Sequence, residues 1–415
     1  MEVNRGSLNQ PVSNFMSENK NRFNSKRNII LIVLLSLPVF YLGGFEGGYL
    51  RDEISMGSEL KSPSDALAEW KLSDEAPFKY RVLFKAVVHQ VASLVFSGSN
   101  RDFYYAYIIV SYSFFLATIV ALYSFIRLNG FSPGLTWLGL GFFLVSPVVL
   151  MAYKIPVHVR EDYMAYFILL LGLIAIHKNN FVLLLITFIV GPLCRETLLI
   201  LPFTYLFFTR NHTLVKRLFL AGMPIIIIII IRFLIGYEKY DYFLGLRWNI
   251  DNPIQVIGFS LITFHFMWIP LIVYLFIRKR MNLLSSYLDK SLLPVIGLVV
   301  TTTLIGGIFN EIRLLFLVFP WVIIAVLRVI EKNEQIGLSE WFSKSKMSIY
   351  LIFQPFIIFI VFYLSNKINI VGKSAYEIPY YQWILVSLLY FEMMLFALIH
   401  YFSVFRMIYK PKKAI

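Results

Sequence analysis

A few charged groups interrupt an otherwise apolar chain, and each combines side chains that can hold an anion or take a proton. The first is Arg51-Asp52-Glu53. The second is Tyr80-Arg81. The third is His158-Val159-Arg160-Glu161-Asp162. The fourth is a pair of short turns, Cys194-Arg195-Glu196-Thr197 and Asn310-Glu311-Ile312-Arg313. A guanidinium grips phosphate oxygens with two parallel hydrogen bonds. A carboxylate near neutral pH accepts a proton from an attacking hydroxyl. Arginines and carboxylates in proximity could therefore transfer a group from a phosphorylated donor. Plainer roles compete at each position. Arg51 to Glu53 suit a solvated loop. Arg81 suits a side chain snorkelling at a headgroup interface. Glu161 and Asp162 suit the first turn of a helix, where acids complement the dipole. The two Arg–Glu turns suit internal ion pairs that tie helices together. Ionised groups this close to apolar runs do not face lipid; they pair or line a wet cavity.

The rest of the chain explains why these groups stand out. Of 415 residues, 58% are hydrophobic and 15% charged, against about 25% charged in soluble domains. Mean hydropathy is +0.71. The composition is that of an all-α polytopic membrane protein. It excludes disordered, collagen-like and disulfide-stapled classes, and leaves too little polar sequence for a large soluble catalytic domain. The net charge of +14 does not mark a nucleic-acid binder. Most of its lysines and arginines sit in short clusters between apolar runs, as in cytoplasmic loops, for example Lys26-Arg27, Lys216-Arg217, Arg278-Lys279-Arg280 and Lys410 to Lys413. The only cysteine, Cys194, excludes an intrachain disulfide. No P-loop, Gly-rich dinucleotide turn, HExxH or GxSxG pattern occurs, and no metal-ligand spacing.

A span needs about 20 apolar residues. Phe103–Ile126, Leu128–Tyr153, Asn252–Ile277, Ser291–Asn310 and Met347–Asn366 reach that length. Tyr163–Ile176, Asn179–Cys194, Thr197–Thr209, Leu218–Ile231 and Leu314–Leu327 are shorter and bounded by charge. Ile29–Phe45 reads as an uncleaved signal-anchor and Ile378–Phe405 as the last crossing. The pattern predicts about twelve transmembrane helices. A cytoplasmic tail (1–28) precedes a single transmembrane domain (29–405), and a second cytoplasmic tail (406–415) follows. The basic excess then falls on the cytoplasmic side, and all four charged groups fall at outer helix ends. The first outer loop, 46–101, is the longest. Within it, PFKYRVLFKAVVHQVASLVF (77–96) predicts an amphipathic interfacial helix. Val82, Leu83, Ala86, Val87 and Val91 are spaced for one face, with Arg81, Lys85 and His89 on another.

These features together resemble the GT-C superfamily of membrane glycosyltransferases, which includes protein mannosyltransferases and bacterial lipid-linked-sugar transferases. The similarity runs over about the first two-thirds of the chain. It comprises acids soon after the first span (Arg51-Asp52-Glu53), an interfacial helix opened by PFKYR, the charged outer turn HVREDY, and CRETLLILPFTYLFFTR running into a basic loop. The chain departs from the pattern where Glu161 and Asp162 are adjacent rather than spaced by one residue, and in lacking a sizeable C-terminal outer domain.

The resemblance implies a polyprenyl-phosphate sugar as donor, a glycan or lipid acceptor and chemistry on the outer face, with the bilayer itself as partner and no nucleic acid. It implies Asp52 as proton acceptor, Glu53 and Asp65 as substitutes, and Asp162 as a second carboxylate. The phosphate would be held by Arg81, Arg160, Arg195 and Arg313, with Tyr80 and His158 beside them. Glu196 and Glu311 would orient the arginines next to them. A divalent metal, Mg or Mn, remains compatible with the class. The implied setting is cell-surface polysaccharide or lipid-linked glycan assembly in a bacterial inner membrane. An O-antigen-type polymerase fits the same groups and would want a larger outer loop than Gly236–Gln255. A transporter or flippase would want an inverted repeat. An acyltransferase would draw on His158 with Asp162.

Overall fold

The computed structural model describes residues 26–42, 81–95, 100–144, 146–150, 152, 162–209, 212–236, 243–264, 267–279, 286–307 and 311–332. Among these residues the secondary structure is helical and contains no strand. Asp52, Glu53, Asp65, Tyr80, His158, Arg160 and Glu161 lie outside the described residues, as do the runs Met347–Asn366 and Ile378–Phe405 and most of both tails.

The helices are α1 (Lys26–Leu42), α2 (Val82–Val95), α3 (Asn100–Leu128), α4 (Pro133–Leu144), α5 (Pro147–Leu150), α6 (Asp162–Lys178) and α7 (Phe181–Cys194). A 3-10 turn (Glu196–Leu199) leads into α8 (Ile200–Phe208). Then come α9 (Leu214–Ile235), α10 (Leu244–Asp251), α11 (Pro253–Phe264), α12 (Trp268–Ile277), α13 (Tyr287–Gly306), α14 (Ile312–Phe316) and α15 (Phe319–Glu331). Among the described residues three helical stretches are long and apolar enough to cross a membrane: Tyr105–Leu128, Leu214–Ile235 and Tyr287–Gly306. The others are shorter.

Local chemistry explains where several predicted runs divide. Leu128–Tyr153 is not one helix. Gly130 has a φ of 90°, a left-handed conformation that ends α3. Ser132 then caps α4 by accepting from the Leu135 N–H, and Pro133 takes the first helical position, where its missing N–H costs nothing. Leu314–Leu327 is split between α14 and α15, because Pro320 cannot donate to the preceding turn. Thr197–Thr209 opens as a 3-10 turn rather than an α-helix. Leu218–Ile231 is part of a longer helix, α9. Between α6 and α7 the chain reverses on two asparagines. Asn179 adopts a φ of 53°, and the Asn180 side chain accepts from the Leu183 N–H at 3.0 Å.

One continuous apolar core runs through the bundle. α6 is buried almost throughout and packs against α3 and α7. α15 is buried nearly as fully, against α4 and α12. Aromatic rings join them: Phe143 of α4, Tyr166 of α6 and Phe316 of α14 meet Phe319, and Phe264 of α11 meets Phe316, at 5–6 Å centroid separations. By contrast α9 leaves Ile225, Ile226, Ile229, Ile230 and Phe233 exposed, as a helix against lipid would.

The structure adds which side of α2 packs on the bundle. Its buried residues are Phe84, Val88 and Ala92, against α3. Val82, Leu83, Ala86, Val87 and Val91 are half-buried, and so are Lys85 and His89. Apolar residues in a membrane protein satisfy lipid as well as protein, so hydrophobicity does not by itself select the packed side.

At the far end of α13, Gly245 of α10 lies against Gly307. The Asn249 amide donates to the Leu304 and Gly307 carbonyls, each at 3.0 Å, and so satisfies acceptors that α13 leaves open. A Cβ on Gly245 would collide with the Gly307 carbonyl oxygen, which is backbone and cannot rotate aside. Gly245→Ala is expected to destabilise the protein by about 1–3 kcal/mol, read as a lower thermal midpoint in detergent. An unchanged midpoint would contradict the contact.

Candidate functional site

Four separate stretches of chain deliver charged side chains to one place. Arg81 stands immediately before α2, and Asp162 is the first residue of α6. Arg195 and Glu196 form the turn between α7 and the 3-10 segment, while Glu311 and Arg313 open α14. Each position is an element terminus, where a side chain can leave the packed face and the backbone still anchors it.

Arg195 has an extended backbone, and its N–H donates to the Gly191 carbonyl at 2.8 Å. This closes α7 with no intervening loop. Its guanidinium is 1% exposed and pairs through Nη1 with Asp162 Oδ1. Asp162 Oδ2 lies 3.8 Å from Arg313 Nε. Arg313 in turn donates to Glu311 Oε2 from Nη2 at 2.9 Å and from Nε at 3.2 Å. The Tyr166 hydroxyl donates to the Arg313 carbonyl, fixing α14 to α6. Glu196 departs from its predicted role beside Arg195: its Oε2 lies 3.6 Å from Arg81 Nε. The result is a chain of alternating charges from Arg81 through the turn to Asp162, Arg313 and Glu311.

The chain is incompletely satisfied. Among the described residues Arg195 Nε and Nη2 are shielded from solvent and have no hydrogen-bond partner, and neither do Asp162 Oδ2, Glu196 Oε1 and Thr197 Oγ1. A buried donor left open costs about 1–3 kcal/mol, more when charged. Such groups are therefore rare unless something else binds them. Burial, and then the like charges of Arg81 and Arg313, push the Arg195 pKa well below its usual value, against the pull of Glu311 and Glu196. An anion beside it would relieve both effects. Burial pushes the Glu311 carboxyl up, but Arg313, with Arg195 and Arg81 behind it, more than offsets this and holds it below its usual value.

The structure thus gathers Arg81, Asp162, Arg195, Glu196, Glu311 and Arg313. The other predicted site residues, Asp52, Glu53, Tyr80, His158 and Arg160, lie outside the described residues. Among the described residues no group of three His, Cys, Asp or Glu side chains could hold a metal ion. Thr197 belongs to the Cys194-Arg195-Glu196-Thr197 turn but was given no role from the sequence, because its hydroxyl carries no charge. A second polar node also escaped notice. At the start of α13, Asp289 accepts from Ser286 in a capping box and from the Tyr274 hydroxyl, and it pairs with Arg328 at 3.1 Å. The Ser-x-x-Asp spacing before an apolar run was the available cue.

No protein-family model, curated protein or solved structure matches the chain.

Proposed function

We propose that this membrane protein is a glycosyltransferase that takes a sugar from a polyprenyl-phosphate donor and passes it to a glycan or lipid acceptor at the outer face. The observation that carries this reading is Arg195: a guanidinium almost wholly buried, with two nitrogens unpartnered among the described residues and with Arg81 and Arg313 close enough to act on its charge. A desolvated, preorganised set of donors of this kind suits an oxygen on which negative charge develops as a bond breaks. The departing polyprenyl phosphate supplies that oxygen. Its isoprenoid tail would remain among the exposed apolar helices. The resemblance to GT-C enzymes supports the same donor class. On this reading the shorter helices combine in tandem to complete about twelve crossings, and both termini are cytoplasmic.

The roles follow from the pairings. Arg195 and Arg313 hold the phosphate. Asp162 is held between the two, so it keeps them charged and aligned rather than taking a proton. Glu311 fixes Arg313. Arg81 brings α2 to the site.

The test is sugar transfer from radiolabelled undecaprenyl-phosphate hexoses (glucose, galactose and mannose) by the full chain in proteoliposomes. Transfer to lipid or glycan acceptor is the expected result. Absence of transfer from every donor, with labelled lipid crossing the bilayer, would replace this reading with that of a flippase.

A further inference from the structure

Three described carboxylates reach the arginine cluster, and two are committed. Asp162 places one oxygen on Arg195, and its other oxygen, though without a hydrogen bond among the described residues, lies 3.8 Å from Arg313, so both of its oxygens face a cation. Glu311 accepts twice from Arg313 through one oxygen and is held below its usual pKa, mainly because Arg313 offsets its burial, which makes it a poor proton acceptor. Glu196 differs. One of its oxygens faces Arg81 at 3.6 Å without hydrogen-bond geometry. The other, Oε1, is shielded from solvent and has no hydrogen-bond donor among the described residues. A buried carboxylate oxygen without a donor is costly, and a hydroxyl brought to it would lower that cost. The neighbouring Thr197 Oγ1 is unpartnered too, so the turn presents an open acceptor and an open hydroxyl together. Successive side chains of this turn diverge. Arg195 reaches Asp162 on α6, while Glu196 reaches towards Arg81 before α2. A single turn therefore presents a cation on one side and a carboxylate on the other.

We propose that Glu196, through Oε1, accepts the proton of the attacking hydroxyl. The inference rests on the glycosyltransferase reading above. In the step, the acceptor oxygen forms a bond to the anomeric carbon while the bond from that carbon to the phosphate oxygen breaks. Its electron pair leaves with the polyprenyl phosphate, beside Arg195. The hydroxyl proton moves to Glu196 and passes to water as the products depart. No metal or redox partner is needed for the balance. Thr197 is placed to orient the incoming hydroxyl.

The experiment compares full-length wild type, Glu196→Gln, Glu196→Asp and Asp52→Asn in proteoliposomes. Donor binding and transfer are measured separately with the radiolabelled undecaprenyl-phosphate hexoses, across pH. The expected Glu196→Gln protein binds donor within about threefold of wild type but transfers about 10²–10⁴-fold more slowly. Its pH–rate profile loses the decline on the acid side, and Glu196→Asp recovers part of the rate. Retained donor binding shows that the variant is folded. Wild-type transfer by Glu196→Gln overturns the assignment, as does loss of transfer confined to Asp52→Asn. Wild-type protein that transfers no sugar overturns the glycosyltransferase reading itself, and the role of Glu196 with it.

Discussion

Replacing Arg195 with alanine is expected to destabilise the protein by about 3–5 kcal/mol and to lower donor affinity by about 100-fold or more, the equivalent of roughly 2.7 kcal/mol. Loss of a solvent-exposed phosphate-binding arginine would cost activity far more than stability. The structure changes that expectation for Arg195. It is 1% exposed and shares Asp162 with Arg313. Without it Asp162, itself 5% exposed, keeps only the longer contact to Arg313. Much of the loss is the penalty of leaving that carboxylate buried and poorly paired. A second variant separates the two effects. Asp162→Leu combined with Arg195→Met removes both charges, and replacing a buried pair with apolar residues is often neutral or stabilising. The double variant should unfold near wild type in a detergent denaturation series and still fail to bind undecaprenyl-phosphate hexose. Wild-type donor affinity in the double variant would sink the phosphate role of Arg195.

The second large effect lies at the opposite end of the bundle. Asp289→Ala is expected to cost about 3–5 kcal/mol while leaving donor affinity within about threefold of wild type. Asp289 is 2% exposed. It accepts from Tyr274 on α12 and from the Ser286 hydroxyl and N–H before α13, and it pairs with Arg328 near the end of α15. One carboxylate therefore ties three helices. Its removal leaves Arg328, also close to Ser286, without a counter-ion. Along α15 alone, the stretch from Phe319 to Arg328 rises about 14 Å at 1.5 Å per residue, so the loss should not reach the arginine cluster. The check is a denaturation midpoint and donor binding on the same preparation. A fall in donor affinity matching the Arg195→Ala effect would show that the nodes are coupled rather than independent.

These two variants also show what was legible in the sequence. Charged residues between apolar runs are conspicuous because lipid does not tolerate them. Arg195-Glu196 and Glu311-Arg313 were therefore marked as paired or site-lining by composition and position alone. Asp162 at a helix start was marked in the same way. Helical content and membrane character followed from the apolar runs, and most helices begin or end within a few residues of a charge, Pro or Gly visible in the chain. Asp289 was less visible, because a capping aspartate on an ordinary surface helix has the same spacing.

Partnership belongs to the tertiary structure. Arg195 meets Asp162 from 33 positions away, and Glu196 turns from its neighbour to Arg81. Local sequence cannot specify either choice, since any of three arginines suits any of three carboxylates. The packing of α6 against α3 and α7 brings Asp162 beneath the Arg195 turn, and the Tyr166–Arg313 bond sets α14 beside it. The packed face of α2 was likewise undecided by its amphipathic pattern, because apolar residues can face lipid or protein at similar cost. The sequence by itself determined that this is a helical membrane protein with arginines and carboxylates at helix ends. Only the fold decided which carboxylate meets which arginine, because that depends on which helix termini converge.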